Sequence, residues 1–590
     1  MEATRLFDLL TLKAEQFPEQ KFLSSKVDSK WIDYTFSEVL KFANRTSQLL
    51  LSLGLKKEDK IAIISANRPE WNFVDFAAQQ IGVIVVPMYP TIAEKDYEYI
   101  FLDASIQYAF IDSEVVLEKV KPLLQKVNTL KGIFCFENLE NTSHYLTALP
   151  QIISQSAIDE RKNSISSEDI ATIIYTSGTT GNPKGVMLTH KNILSNVQSV
   201  QQVIHFGEGE KALSFLPLCH SFERMVFYAY LAFSIHIHYA ENLERIGENL
   251  LEVKPFCFTT VPRMLEKVYD KIIAKGNALT GIKKQLFFWA MDVGSKYEIG
   301  KPKSSWYRLQ LTLARKLVFT KWQEALGGHV HFIITGAAAM QPRLITLFTA
   351  AGIDIIEGYG LTETSPVLCC NRVEETERCI GTVGLPLPGV EIQFADDGEI
   401  IAKGANIMKG YYNQPEMTAE VIDKDGWFHT GDIGTWVEQN GHKFLKITER
   451  KKELFKTAGG KYVAPQVIEN KMKESPYIEQ IMIVGGDDKK FVSALIVPSF
   501  QQLQEWAKQH QRHFTNLETM VKDEKVNALF HHEIKKYNHD FGHWEQIKKF
   551  ILLPEEWTVE RGELTPTMKP KRKVINERYK QLIESMYDTE

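Results

Sequence analysis

Charge of one sign, paired cysteines and long apolar runs are all scarce in this chain, and each shortage excludes a class of function. With 69 Lys and Arg against 74 Asp and Glu, the formal charge is -5. So close a balance gives no global attraction to nucleic acid or anionic lipid, and any polyanion must be gripped locally. The six cysteines form no CxxC pair and have no histidine spacing that suits zinc. A reducing, cytoplasmic setting is the simpler reading. The opening residues, MEATRLFDLLTLKAEQF, carry acidic side chains and no long apolar core, which reads as neither a secretory signal nor a membrane anchor. The most apolar stretch, residues 225–237, falls short of the ~20 residues that a bilayer span needs. It reads as a buried element, while peripheral attachment at the inner face of a membrane stays open, as does the oligomeric state. No internal repeat or low-complexity linker interrupts the chain.

What is present is ordinary globular composition, 44% hydrophobic and 24% charged, over 590 residues, which is too long for a single core. Thr35 and Glu38 are spaced as a capping box ahead of an amphipathic run that stops at Gly54, which predicts a helix. Apolar, β-branched runs at 60–65, 82–87, 108–112, 132–136, 169–178, 256–262 and 329–338 read as strands separated by helix-length gaps. Continuous apolar strands alternating with helices predict parallel sheets covered on both faces. After about Gly384 the texture changes to short β pieces with glycine-rich turns, and a charged junction at 448–456 precedes a smaller α+β unit. The expected division is residues 1–450 and 451–590.

The oddest stretch is YTSGTTGNPKG at 175–185, where seven of eleven residues are Gly, Ser or Thr and the only cation is Lys184. It follows a strand pattern, and a helix pattern, HKNILSNVQSVQQVI, lies beyond. Phosphate oxygens need this composition, because backbone N–H groups approach closely where no Cβ intrudes and an ammonium adds charge. It is not a Walker loop, since GxxxxGK[ST] fits no register here. A flexible surface loop is the bland alternative.

The segment YTSGTTGNPKGVMLTH at 175–190 resembles the signature loop of the acyl-adenylate-forming, or AMP-binding, enzymes, and four further motifs follow in that family's order. These are LPLCHSFERM at 216–225, TGAAAM at 335–340 with EGYGLTET at 357–364, GWFHTGDIG at 426–434, and LTPTMKPKRK at 564–573. The resemblance implies an α/β fold: a large N-terminal domain of layered αβ sheets with a β-barrel-like subdomain, and a small mobile α+β C-terminal domain.

It also implies roles. Thr176, Ser177, Gly178, Thr179, Thr180, Gly181 and Lys184 hold ATP phosphates. His220 lies near the acyl group, although a satisfied structural histidine is the alternative. Gly336, Ala337 and Ala338 let a flat base lie against backbone, and Tyr359 with Gly360 offers a stacking face. Thr362 bonds a phosphate oxygen, while Glu363, with Thr176, binds Mg²⁺. Asp432 and Arg450 take the ribose hydroxyls. Lys569 is the C-terminal lysine, preceded by Met568 where the family usually has glycine; Lys571, Arg572 and Lys573 read as a solvated tail. Lys452 is a hinge, and Gly459 and Gly460 let the pantetheine arm of coenzyme A pass.

The subgroup resemblance, through CHSFERM and TPTMKPKRK, is to long-chain acyl-CoA synthetases. The expected reaction is activation of a fatty acid by ATP to acyl-AMP, then transfer to coenzyme A. Residues 225–237 serve either as an acyl-tunnel wall or as ordinary core. Loading of a free acyl carrier protein, an oxidative light-emitting reaction and a catalytically silent scaffold are the alternatives. The last conflicts with the joint presence of Lys184, Glu363, Asp432, Arg450 and Lys569.

Overall fold

Thr35 caps the helix Phe36–Ser52 in the way its spacing from Glu38 requires: its hydroxyl accepts from the Glu38 amide, and the Glu38 carboxylate accepts from the Thr35 amide. Thr189 and Asn516 cap His190–Gln201 and Leu517–Lys522 in the same way. Pro69 opens the helix Pro69–Gln80, where its missing N–H costs nothing. The computed structural model describes residues 3–140, 142–176, 182–207, 209–451, 453–458, 461–559, 561–565 and 568–588. Ser177, Gly178, Thr179, Thr180, Gly181, Lys452, Gly459 and Gly460 therefore lie outside the described residues.

The chain divides into two compact units. The larger comprises residues 1–393, 401–430 and 436–445; the smaller comprises 394–400, 431–435 and 446–590. In the larger unit an eight-stranded sheet runs in the order Gly410–Tyr411, Lys184–Thr189, Ile170–Thr176, Ile84–Met88, Lys60–Ile64, Tyr108–Ile111, Gly132–Cys135, Ser143–His144. Its central pairings are parallel. The apolar runs predicted as strands supply it, and Ile61, Ile63, Ile64, Val85 and Val86 are fully buried, as a sheet covered on both faces demands.

A nine-stranded sheet runs Leu385–Pro386, Val367–Cys370, Asp354–Gly360, Phe332–Thr335, Cys257–Thr260, Lys211–Ser214, His236–Tyr239, Lys21–Val27, Lys30–Thr35. Strands from Lys21–Val27 through Asp354–Gly360 pair in parallel, and both edges are antiparallel.

Two local features go beyond the sequence reading. Between the glycine-rich residues and the helix expected at HKNILSNVQSVQQVI there is one more element. GVMLT forms a further strand, Lys184–Thr189, which folds back antiparallel on Ile170–Thr176 before Thr189 caps the helix His190–Gln201. So short an apolar run has no period of its own to reveal this. Residues 225–237 are not one element but the end of the helix Ser221–Ala232, a turn at Ser234 with φ of 59°, and the start of the strand His236–Tyr239. Phe227 packs on Phe22 and Phe76 at ring separations of 5.8 Å. These residues pack into the larger unit's main core.

The smaller unit is α+β. Ile478–Val484 and Val492–Pro498 form the antiparallel pair expected around GGDDKK, and Ile547–Leu552 adds to Val492–Pro498 in parallel. The helices Pro465–Met472 and Glu524–Asn538 supply Ile468, Met472, Val526 and Phe530 to one core of this unit.

Candidate active site

In the larger unit the hairpin sets the first contact. Thr176 pairs opposite Lys184, so hydroxyl and ammonium emerge together from the two strand ends that flank the glycine-rich residues. Gly185 is required by packing: a Cβ there would sit 2.8 Å from the Ile173 side chain. The short strand Gly410–Tyr411 adds to the outer edge of the hairpin, with Tyr411 opposite Val186. That pairing brings the Tyr411 ring to 5.0 Å from the Lys184 ammonium. The Tyr411 hydroxyl donates to Oε1 of Glu363 at 2.9 Å. Burial and the neighbouring Glu363 carboxylate raise the phenol's pKa, so it stays protonated as a donor.

Glu363 stands in the short 3-10 turn Thr362–Thr364. The preceding backbone leaves no room for a side chain, since a Cβ on Gly360 would lie 1.6 Å from the Pro366 carbonyl oxygen. Thr362 Oγ1 is 3.2 Å from Ser221 Oγ, which joins this turn to the helix Ser221–Ala232. His220 is the N-cap of that helix, and its Nδ1 accepts from the Phe222 amide at 3.2 Å. Its ring is thus fixed structurally at the point where the sequence expected an acyl-side contact. The Phe222 ring in turn lies 3.6 Å from where a Gly336 Cβ would be. Ala337 has φ of 70°, unusual for a residue with a Cβ, and Ala338 is exposed. Tyr359 is buried, opposite Cys369 across the sheet edge.

Beneath this loop sits a carboxyl that the sequence reading passed over. Glu357 accepts from the Met340 amide at 3.1 Å, and burial pushes its pKa up to about 7. Nothing in EGYG distinguishes it from a solvated glutamate. The rest of the HSFERM motif serves the fold. Ser214 and Thr259 donate to the Glu223 carboxylate at 2.6 and 2.5 Å, and burial raises that carboxyl to about 7. Arg224 forms a buried ion pair with Asp75 and donates to Thr172 Oγ1 at 2.6 Å.

The smaller unit carries the second group. Asp432 is buried and accepts from Arg450 Nε at 3.1 Å. Arg450 lies 3.7 Å from Glu453, and the Gly431 amide beside Asp432 donates to Glu399 at 2.8 Å. Lys569 is half-buried, its backbone amide donating to Thr565 Oγ1 at 3.0 Å. Burial, then the Arg450 guanidinium, push its ammonium down to about 8, with Asp432 and Glu453 opposing. Met568 has φ of 63°, a backbone region that favours glycine, so the position keeps the geometry without the residue. Arg572 corrects the solvated-tail reading. It donates to Glu453 at 3.2 Å, to Glu469 at 2.6 Å and to the Ile483 carbonyl at 3.2 Å. Lys573 is exposed, as expected.

Two clusters result: Thr176, Lys184, Tyr411, Glu363, Thr362 and Ser221 in one unit, and Asp432, Arg450, Glu453 and Lys569 in the other. The first offers hydroxyls, one ammonium and a carboxylate, a donor set for a metal-bound polyphosphate. The second offers two carboxylates and two cations. Among the described residues no helix is long and apolar enough to cross a membrane.

Comparison with known proteins agrees in extent as well as kind. Residues 10–412 match the AMP-binding enzyme family, and residues 453–590 match the AMP-binding enzyme C-terminal domain. A long-chain-fatty-acid–CoA ligase of Mycobacterium tuberculosis is 33% identical over 97% of this chain and 95% of its own. Long-chain-fatty-acid–CoA ligase 1 of Homo sapiens is 32% identical over 96% of this chain and 84% of its own. Among solved structures, the adenylation domain of the carboxylate reductase from Mycobacterium chelonae has a TM-score of 0.76 at 18% identity, covering 99% of this chain and 91% of that one. A Mycobacterium tuberculosis fatty acyl CoA synthetase has a TM-score of 0.61 at 20% identity, covering 98% and 99%. These two likenesses bear on the fold, a mixed α/β arrangement of a large N-terminal and a smaller C-terminal domain.

Proposed function

The chain belongs to the AMP-binding enzyme family, and on that premise we propose that it is a long-chain-fatty-acid–CoA ligase. It activates the acid with ATP to acyl-AMP, releases pyrophosphate, and transfers the acyl group to coenzyme A. The observation that carries the reading is the run from Lys184 through Tyr411 to Glu363. It joins a phosphate-binding cation to a metal-binding carboxylate, a pairing that lipid binding alone does not need. The relatives' names favour coenzyme A over a carrier protein as acceptor.

A carboxylate resists nucleophiles because its charge is delocalised and its leaving group is poor; forming a mixed anhydride with AMP removes both obstacles. During adenylation, negative charge grows on the α-phosphate oxygens and on the departing pyrophosphate. Positioning and electrostatic stabilisation dominate such a step. In this reading Lys184 and Thr176, with the glycine-rich residues between them, hold the β- and γ-phosphates. Thr362 bonds a phosphate oxygen, and Asp432 with Arg450 holds the ribose. Glu363, with Thr176, would hold Mg²⁺ through hard oxygens, and the ion would neutralise phosphate charge there. Lys569 contributes its ammonium to the α-phosphate and the attacking carboxylate. Residues 1–450 bind ATP and the acid, while residues 451–590 carry Lys569 and serve the coenzyme A step after rearranging. His220, the N-cap of Ser221–Ala232, is the acyl-side contact in this reading.

Peripheral attachment to a cytoplasmic membrane face suits the same reading, because the substrate partitions into lipid. Trp306, Leu309, Leu313 and Leu317 follow helical spacing along Ser305–Ala314 and Arg315–Phe319, and all four are exposed, Trp306 at 68%. Arg308 and Lys316 are exposed among them. An apolar stripe with basic flanks fits an anionic bilayer surface.

The deciding experiment measures AMP and pyrophosphate release with Mg²⁺, ATP and acids of increasing length. Long acids are expected to give the highest kcat/KM, with acyl-CoA formed when coenzyme A is added. Absence of AMP with every acid overturns the assignment.

A further inference from the structure

At one edge the nine-stranded sheet gathers three potential metal ligands on one face. We propose that Asp33, His236 and His238 form a binding site for a late first-row divalent cation, for which Zn²⁺ is the probe. His236 and His238 lie two residues apart in the strand His236–Tyr239 and so share a face. Register carries that face across the sheet edge: Ser24 pairs with His238 on one side and with Asp33 on the other. One ligand atom from each of Asp33, His236 and His238 lies within 4.8 Å of the others. His236 Nε2 is 3.8 Å from Asp33 Oδ1, and the two imidazoles are 4.1 Å apart at their centroids. Two histidines and a carboxylate converging from strands on either side of Lys21–Val27 suit zinc and its neighbours.

A second observation points to a ligand. His238 is 6% exposed, and its Nδ1 is buried with no hydrogen-bond partner. Such a nitrogen is normally satisfied, and a bound cation relieves the cost by taking a ring nitrogen or by fixing the tautomer. The indole of Trp31 stands edge-on to His238 at 5.1 Å and holds that ring in place.

A catalytic triad is the competing reading, and the hydrogen bonds reject it. Ser24 Oγ sits between the other two groups, 2.6 Å from Asp33 Oδ1 and 2.6 Å from His236 Nε2. In a nucleophilic triad the histidine, not the serine, stands in the middle. Serine in the centre instead supports both ligands, as outer-shell donors do around metals.

The opposing charges are also identifiable. Lys21 pairs with Asp33 at 2.5 Å, and Lys211 stands opposite His236 in the neighbouring strand as a second positive charge. The Lys21 side chain is 60% exposed and can swing to solvent when a cation takes the carboxylate. Two strands, Lys211–Ser214 and Cys257–Thr260, separate the cluster from Phe332–Thr335, which leads into Gly336. The cation would tie the edge strand Lys30–Thr35 to its neighbours, protecting an edge otherwise open on one side.

The test uses the full chain, stripped with a chelator, without nucleotide or Mg²⁺. Titration with Zn²⁺ is expected to give one tight equivalent and a higher melting temperature, and Co²⁺ a visible absorption band from nitrogen and oxygen ligation. His238→Gln and Asp33→Asn should each weaken binding roughly 10- to 100-fold or more while AMP formation with Mg²⁺ and ATP continues. Lys21→Gln, which removes the competing cation and leaves all three ligands, should bind Zn²⁺ more tightly than the natural chain. It keeps the idea testable if a ligand variant misfolds. Unchanged Zn²⁺ affinity in all three variants, or no tight equivalent at all, overturns the site.

Discussion

Tyr411 stands between Lys184 and Glu363: its ring faces the ammonium at 5.0 Å and its hydroxyl donates to the carboxylate at 2.9 Å. One side chain thus couples the cation expected at the phosphates to the anion expected at the metal. Its position depends on an edge strand of two residues, Gly410–Tyr411.

Tyr411→Phe keeps the ring over Lys184 and removes the donor to Glu363. A hydrogen bond to a charged group contributes about 1.5–3 kcal/mol, so adenylation should fall about 10- to 100-fold, with a raised Mg²⁺ requirement. Glu363→Gln should lose more and shift the metal dependence further. Pyrophosphate release at varied Mg²⁺ measures both. An unchanged metal curve in Glu363→Gln removes that residue from the metal site.

Lys569 makes a pH prediction with a definite sign. Burial and Arg450 hold its pKa at about 8, against 10.5 for the free side chain. The ammonium is complete below about 8 and lost above it, so adenylation should decline through that value. Lys569→Arg keeps its charge and should lack the alkaline decline, whatever its residual rate. Lys569→Ala should abolish adenylation yet spare thioester formation from supplied acyl-adenylate. Stability moves the opposite way. Between about 8 and 10.5 the unfolded chain binds more protons at this group, so its contribution to folding rises with pH.

Gly360→Ala should destabilise by about 3 kcal/mol, because the added carbon meets backbone that cannot swing aside. The clash is with the Pro366 carbonyl, 1.6 Å from the new Cβ. Gly358→Ala is the control, its Cβ meeting Cys369 O at an ordinary 3.7 Å. Denaturation midpoints should separate the two variants clearly.

The exposed stripe predicts a binding phenotype separable from chemistry. Replacing Trp306 and Leu309 together by serine should reduce co-sedimentation with anionic vesicles about tenfold or more. Turnover of a short, water-soluble acid should be unchanged. Equal sedimentation of the double variant would remove this face from membrane attachment.

Much of the fold was legible because it is written in neighbouring residues. The Thr35–Glu38 box, Pro69 and the β-branched runs each set an element's bounds through backbone sterics and caps within a few positions. Thr176, Lys184, Thr362, Glu363, Asp432 and Lys569 were legible as candidates because short motifs carried them. What only the tertiary structure decided were partnerships across the chain. Tyr411 meets Glu363 from 48 residues away, and Arg572 finds Glu469 across 103. Asp33, His236 and His238 converge only because the strand Lys21–Val27 pairs with His236–Tyr239 on one side and Lys30–Thr35 on the other. No local period encodes such neighbours. Strand order and register set them, and these follow from burying whole sheet faces rather than from any few residues.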